Sequence, residues 1–530
     1  MQHNTTNVRL SQSRRSYIDG LMKTESYDVI IVGAGISGIA AAYHIKRKCP
    51  NRRIRIIEAR DTIGGTWDLF RYPGIRSDSD MYTFGFAFRP WTDGKVFADG
   101  PSIRKYVNET AQESEIEKDI QFGYRVTAAE WSSAEAKWSL RAQSSHSEEV
   151  IQYTCQFVVM CSGYYRYDKG HLPAFPGMEN FQGDIIHPQF WKEGTDYKDK
   201  RVIVIGSGAT AITLVPAMVE DAAKITMLQR SPSYIAARPS RDAMVDFLSP
   251  FLPSKLTHAL ARTKNVLLAI YFYQISQKFP ELVRREVKRR IKDELGDDFD
   301  VEKHFNPRYA PWDQRFCLAP DGDFFAALKS EKAEIVTDTI ETFVEEGIRL
   351  SSGEVLEADL IIPATGLELQ LFGGCKLSVD GAPFVTSDSF TYRGMMLSGL
   401  PNLAIALGYT NSSWTLKVDL TCERVCRVLN HLEKTGSDYC VAEPQSTVNE
   451  RPLLDLSSGY VSRAKEMLPK QSDESPWRTY QNYIQDMLSI RFSPIEDGTL
   501  IFRNRSHSET TSSVVDELPT QEGFPRPTNS

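Results

Sequence analysis

Two glycine turns carry the first chemistry in this chain. Gly33-Ala-Gly35-Ile-Ser37-Gly38 follows an apolar, β-rich run at 27–32 and opens a helix pattern. That spacing suits a dinucleotide. Gly33 makes the tight turn, Gly35 lets backbone approach a diphosphate, and Gly38 lets helix pack on strand. The diphosphate then meets free N–H groups and the positive end of the helix dipole. Glu58 lies 25 residues after Gly33, at the end of a second strand pattern. A carboxylate there accepts hydrogen bonds from both ribose hydroxyls and repels a 2′-phosphate. The first turn is therefore expected to take FAD or NAD, not NADP.

The second turn has the same register and the opposite charge. Gly206-Ser207-Gly208-Ala209-Thr210-Ala211 follows a strand pattern at 202–205, and Arg230 lies 24 residues after Gly206, with Ser231 next. Ala211 stands at the third glycine position, which the fingerprint allows. A guanidinium and a hydroxyl at that strand end can hold a 2′-phosphate, so NADPH is expected here. One acid-selected and one base-selected dinucleotide in one chain is the pattern of an NADPH-driven flavoenzyme. Disulfide reductases share the plan but need a redox cysteine pair beside the flavin. The eight cysteines are scattered, with no C-x-x-C. That spacing excludes a disulfide scaffold and gives no metal pattern. Cys422 and Cys426, four apart on one helix face, read as core.

The elements that must position these turns alternate in type. Strand, turn, helix and strand at 27–58 form one βαβ unit, and a second copy starts at 201. Residues 240–305 read as helical, with a basic stretch at 284–292 that suits a solvated helix face. The segment 266–279 reads as a core or packing face, with contact to a membrane surface as the alternative. Strand patterns return at 335–365 and end in Asp359-Leu-Ile-Ile-Pro-Ala-Thr-Gly366. The expected domains are a disordered extension at 1–25, an FAD domain at 26–165 and 341–500, an NADPH domain at 166–340, and a disordered tail at 501–530. The fold class is α/β: two Rossmann-like dinucleotide-binding domains, the second inserted into the first, with a helical subdomain.

Composition narrows the function. The chain has 530 residues, 62 basic against 69 acidic, for a net charge of −7. No basic surface for nucleic acid is expected. The longest apolar run, 266–273, is far short of the ~20 residues of a spanning helix. No secretory signal pattern opens the chain, so the cytoplasm is the expected compartment. The three basic residues in the first 18, without an acid, only faintly match a transit peptide.

Phe181-Gln-Gly-Asp-Ile-Ile-His187-Pro-Gln-Phe-Trp191 resembles the F-x-G-x-x-x-H-x-x-x-W fingerprint of Baeyer–Villiger monooxygenases, placed just before the second βαβ unit as in that family. Amine- and sulfide-oxygenating relatives usually carry Tyr or Phe where Trp191 stands. Further segments resemble the ethionamide-activating subgroup. They are the 58–81 loop, Cys161-Ser-Gly-Tyr-Tyr, Pro311-Trp-Asp-Gln-Arg-Phe-Cys317, Phe372-Gly-Gly374 and the run from Gly408 to Lys417. The match covers about residues 26–500. Lys192 departs from the usual Pro or Asp after the Trp.

The resemblance implies roles by position. Gly33, Ser37, Glu58, Thr66, Trp67, Asp68, Leu69, Asp78 and Val126 would line FAD. Arg76, Ser77, Asp78, the turn from Gly206 to Ala211, Arg230 and Ser231 would meet NADP. Arg315 matches the catalytic arginine, and Asp78 would orient it and balance its charge. Where many relatives have a Lys before that Arg, Gln314 stands here, so NADPH selectivity should rest more on Arg230 and Ser231. His187 is expected to position the linker rather than move protons. The implied reaction inserts one oxygen atom from O2 into a ketone, giving an ester or lactone, through a C4a-peroxyflavin. A fixed cation stabilises both the peroxide anion and the negative adduct, and arginine does not lose its proton. Sulfides would also be oxidised. The alternatives are N- or S-oxygenation as the native reaction, or a redox sensor that keeps the fold without turnover. Partners are then a small-molecule ketone or sulfide and O2.

Overall fold

The structure is a computed structural model that describes residues 23–505, apart from 446, 447 and 455. Of the two stretches expected to be disordered, 1–22 and 506–530 lie outside the described residues.

The first βαβ unit is β1 (Thr24–Val32), α1 (Ile36–Lys48) and β2 (Ile54–Ile57). β1 begins before the expected residue 26, because Thr24, Glu25 and Ser26 pair in parallel with Gln152, Tyr153 and Thr154. An antiparallel meander follows: β3 (Tyr124–Ser132), β4 (Lys137–Ser144) and β5 (Val150–Met160). β5 returns to lie parallel beside β1. The sheet runs in the order Lys376–Val379, β3, β4, β5, β1, β2, Ile120–Gln121, and Leu403–Ile405 also pairs with β5. β1 ends in four buried residues, the mark of a strand covered on both faces.

The second unit is β6 (Arg201–Ile205), α2 (Ala209–Met218) and β7 (Lys224–Gln229). Helices α3 (Ala243–Leu248), α4 (Ser254–Lys278) and α5 (Pro280–Leu295) then fill the stretch expected to be helical. β8 (Ala333–Thr337) and β9 (Leu360–Pro363) complete a parallel sheet in the order β8, β7, β6, β9, Asp184–Ile185. This moves the expected boundary at 340. Residues 340–357 form a small antiparallel sheet of their own, and β9 lies inside the second sheet, between β6 and Asp184–Ile185. The chain leaves this domain only after Pro363. Local pattern identifies 360–363 as a strand but does not say which sheet it joins.

The chain crosses between the domains twice, and the two crossings pair with each other. Tyr165–Gly170 runs antiparallel to Leu367–Leu369. Beyond them α6 (Trp414–Thr435) packs its length against α1. Leu500–Arg503 pairs with Tyr439–Ala442. The tail expected from 501 therefore starts later, because Ile501 and Phe502 belong to that ladder.

Candidate active site

Both glycine turns form as their spacing requires. Gly33 has φ +106°, and a Cβ there would stand 2.7 Å from the Cys161 carbonyl oxygen. At Gly38 a Cβ would come within 1.9 Å of the Gly33 carbonyl oxygen. No larger residue lets α1 sit so close on its own turn. α1 starts after Gly35 and α2 after Gly208, both without a side-chain cap. Their first N–H groups are left for another acceptor.

Beside the first turn is a cavity of about 550 Å³, within the range of about 300–1,000 Å³ usual for ligand sites. Of the residues singled out from the sequence, Gly33, Gly35, Ser37, Glu58, Thr66, Trp67, Arg76, Ser77, Asp78, Val126 and Arg315 line it. Glu58 is buried and accepts from the Ala34 amide at 2.6 Å and the Arg60 amide at 2.9 Å. Burial pushes its carboxyl up, against those bonds. Ser37 accepts from Trp414 Nε1 at 2.8 Å, which ties α1 to the start of α6.

Asp68 and Leu69 stand outside the lining. Asp68 is a buried ionic hub, bonded by Arg60 at 2.5 Å, Arg71 at 2.6 Å and Arg104 at 3.2 Å. Burial raises its carboxyl, and the hydrogen bonds from Arg60, Thr62 and Arg104 outweigh that and hold it low. Leu69 packs on the core of the second domain. Both brace the loop that carries Thr66 and Trp67. Gly38 also lies outside the lining and acts on the turn itself.

Arg315 and Asp78, which was expected to orient it and balance its charge, both line this cavity. Arg315 Nη2 donates to the Tyr164 hydroxyl at 3.3 Å. The Tyr164 phenol, followed by Tyr460, Tyr165 and Asp78, raises the guanidinium further above its ordinary value, against burial. Burial pushes the Asp78 carboxyl up to about 6, opposed by Arg76 and Arg315. Arg76 is itself held by the Asp323 carboxylate and donates to the Leu318 carbonyl at 3.3 Å, so it bridges the domains.

The second turn lies outside the cavity lining. Ser207 Oγ donates to the Ser231 carbonyl at 2.9 Å, so turn and strand end touch. Arg230 and Ser231 are exposed, and Ala211 is fully buried. Thr210 bonds the Tyr72 phenol, and Tyr72 lies in the field of Asp78. Asp78 thus stands between the cavity and the N-terminus of α2. Trp191 is buried in the second-domain core, and the His187 ring packs on Gly170, where a Cβ would come within 2.3 Å of it. His187 Nδ1 accepts the Gln189 amide at 3.1 Å. Of the two fingerprint residues, His187 packs on the domain crossing and Trp191 on the second-domain core.

Sequence reasoning assigned no role to Tyr164, Tyr165, Tyr409, Phe372 or Trp414, which also line the cavity. The available signal was position. Tyr164 and Tyr165 follow the carboxyl end of β5, beside the end of β1, where open α/β sheets place ligands. Tyr409 donates to Asp486 at 2.8 Å, and Asp486 pairs with Lys417 at 3.0 Å, both nearly inaccessible.

A dinucleotide-binding first unit, a second unit of opposite charge and a cationic cavity beside the first define a flavin-dependent oxidoreductase with two Rossmann-like domains. Residues 26–267 match the flavin-binding monooxygenase-like family. The FAD-containing monooxygenase EthA of Mycobacterium tuberculosis is 51% identical over 484 residues, covering 91% of this chain and 99% of that protein. A probable FAD-binding monooxygenase AlmA of an Acinetobacter species is 46% identical over 481 residues, 90% of this chain and 96% of that one. Among solved structures, an oxidised steroid monooxygenase bound to NADP superimposes with TM-score 0.73 at 22% identity, covering 90% of this chain and all of that one. Cyclohexanone monooxygenase with bound ε-caprolactone gives 0.71 at 18% identity with the same coverage. The chain belongs to the EthA-type FAD-containing monooxygenases, and its fold is that of the Baeyer–Villiger enzymes.

The residues present fit FAD. The uncapped start of α1 suits the diphosphate, buried Glu58 suits the ribose, and the cavity extends from there to Arg315.

Proposed function

We propose that this protein uses NADPH and O2 to insert one oxygen atom into ketones, giving esters or lactones, and that it also oxidises sulfides. The balance is ketone, O2, NADPH and a proton giving ester, NADP+ and water. Bound FAD, reduced by NADPH, supplies the activated oxygen. Gly33, Gly35 and the N-terminus of α1 would hold its diphosphate, and Glu58 its ribose. The Gly206 turn, Arg230 and Ser231 would hold NADPH, with the cation selecting the 2′-phosphate.

The observation that carries this reading is Arg315. Its guanidinium lies in the cavity and bonds the Tyr164 hydroxyl rather than a carboxylate. The cation is held in place and its charge is free to act on substrate. Negative charge that develops on a ketone oxygen under attack meets a preorganised donor. Trp67, Phe372 and Trp414 give the same cavity apolar walls for a water-poor substrate.

The test is product analysis on a broad panel of ketones and sulfides with FAD-loaded protein. Esters or lactones should form with NADPH consumption matched to product. In Arg315→Ala, ketone oxygenation should fall by about 10²–10³ while flavin content is unchanged. Oxidation of amines or sulfides alone across the panel, or normal ester formation by the variant, would reject the reading.

A further inference from the structure

Helix α4 is built inside out. Its buried positions include Thr257, His258, Asn265 and Ser276. Its outward positions include Leu256, Leu260, Leu267 and Tyr271, each 41% exposed or more. These four are spaced by four, seven and four residues, so they lie along one stripe. Just before α4, Phe247 and Phe251 are 71% and 75% exposed, with ring centroids 6.1 Å apart. The inner face also holds Ala261 and Val266, but a helix that turns four leucines and aromatics outward while burying two hydroxyls, an imidazole and an amide has a further apolar partner on the solvent side.

Charge identifies that partner. α4 carries Lys255, Arg262, Lys264 and Lys278 and no acid. Residues 240–295 hold eleven bases against six acids, a local excess of five, in a chain of net −7. Arg262 and Lys264 are taken up by the Tyr82 and Gly85 carbonyls and by Asp242. Lys255 and Lys278 flank the two ends of the stripe. A two-fold contact between copies would set this basic face against itself, at a Coulombic cost. An apolar stripe edged by cations instead matches the interface of an anionic bilayer, with side chains in the acyl boundary and ammonium groups among phosphates.

We propose that α3 and α4 dock the protein on anionic lipid surfaces. The contact is peripheral, since among the described residues no helix is long and apolar enough to cross a membrane. On its inner side α4 packs Val266 against Tyr409 of the cavity wall. The docking face and the cavity are therefore two sides of one helix.

The test is cosedimentation of the FAD-loaded full chain with vesicles of phosphatidylcholine plus phosphatidylglycerol, against phosphatidylcholine alone. Binding should need phosphatidylglycerol and fall as salt rises. The pairs Phe247→Glu/Phe251→Glu and Leu260→Glu/Leu267→Glu should each weaken it by about tenfold or more, since bound strength scales with buried apolar area. Their melting temperatures should stay unchanged, because the side chains are exposed. Lys255→Glu/Lys278→Glu should remove the preference for phosphatidylglycerol. Val385→Glu, at an exposed site elsewhere, should bind as the parent. Absence of vesicle binding, or equal loss in Val385→Glu, would overturn the proposal. So would a solution dimer that the leucine pair splits, which would give the face to a second copy.

Discussion

Asp78→Asn should remove the pH dependence of stability that the Asp78 carboxyl imposes. Burial holds the Asp78 carboxyl up at about 6 against an ordinary 3.8, even with Arg76 and Arg315 opposing. The native state therefore binds this proton more tightly than the unfolded chain. That is the reverse of a salt-bridged carboxylate. Below pH 3.8 both states are protonated, and the group costs nothing. As pH rises from 3.8 towards 6 the unfolded chain ionises first, and wild-type stability falls. Above about 6 the cost levels off. The side chain is nevertheless exposed to solvent in the open cavity, so screening leaves only a part of the about 3 kcal/mol that a gap of about 2.2 pH units would give, on the order of 1 kcal/mol. About half of it develops between pH 5 and pH 8. Asparagine keeps the shape and cannot ionise. The variant should therefore gain about 0.5 kcal/mol on wild type between those two pH values. The assay is urea unfolding of both proteins at equal free FAD, followed by tryptophan fluorescence. A difference that stays constant from pH 5 to 8, or shrinks, would refute a burial-dominated Asp78.

Two further outcomes follow from the turns. Arg230→Ala should raise KM for NADPH by roughly 10–100-fold, the loss of one charge-assisted contact, with KM for NADH little changed. An unaltered NADPH-to-NADH ratio would contradict the assignment of the second turn. Gly38→Ala has no room at 1.9 Å from the Gly33 carbonyl oxygen. It should lower flavin content and cost about 1–3 kcal/mol of stability in a thermal melt, and full flavin loading would show that α1 can shift freely.

What could be read from the sequence was local. Gly33, Gly38 and Glu58 lie within one βαβ unit, and so do Gly206 and Arg230, so spacing alone places them. The convergence of Asp78, Tyr164 and Arg315 is tertiary. They come from a loop, the end of β5 and the run before Cys317, and Arg315 donates its hydrogen bond to Tyr164, which the sequence reading did not single out. In the 58–81 loop, the resemblance places Thr66 to Leu69 against FAD. In fact its Asp68 turns inward to three arginines, which the charge pattern hides because those arginines lie at 60, 71 and 104. The 266–279 segment reads from sequence as a core or packing face, with contact to a membrane surface as the alternative. Val266 and Ser276 are buried, whereas Leu267, Leu268 and Tyr271 face out. Periodicity cannot orient a helix that is apolar nearly all round.

The paired crossings give the second domain the topology of an insert in a hairpin. Gly170 and Leu367 stand directly opposite each other in the ladder, about 5 Å apart as such partners are. Everything between them leaves and returns through one strand spacing. A host chain can accept or lose such a cassette without rethreading its own sheet, because loop closure costs little more for a long excursion than for a short one. Closing that ladder with a tight turn would leave the strand order of the first sheet intact, because the inserted strands pair in sheets of their own. The patch the first domain would then have to re-cover is identifiable: Leu69, Phe70, Tyr72 and Ile75 on the inserted core, and Tyr82, Val96, Phe97, Tyr409 and Leu416 against α4.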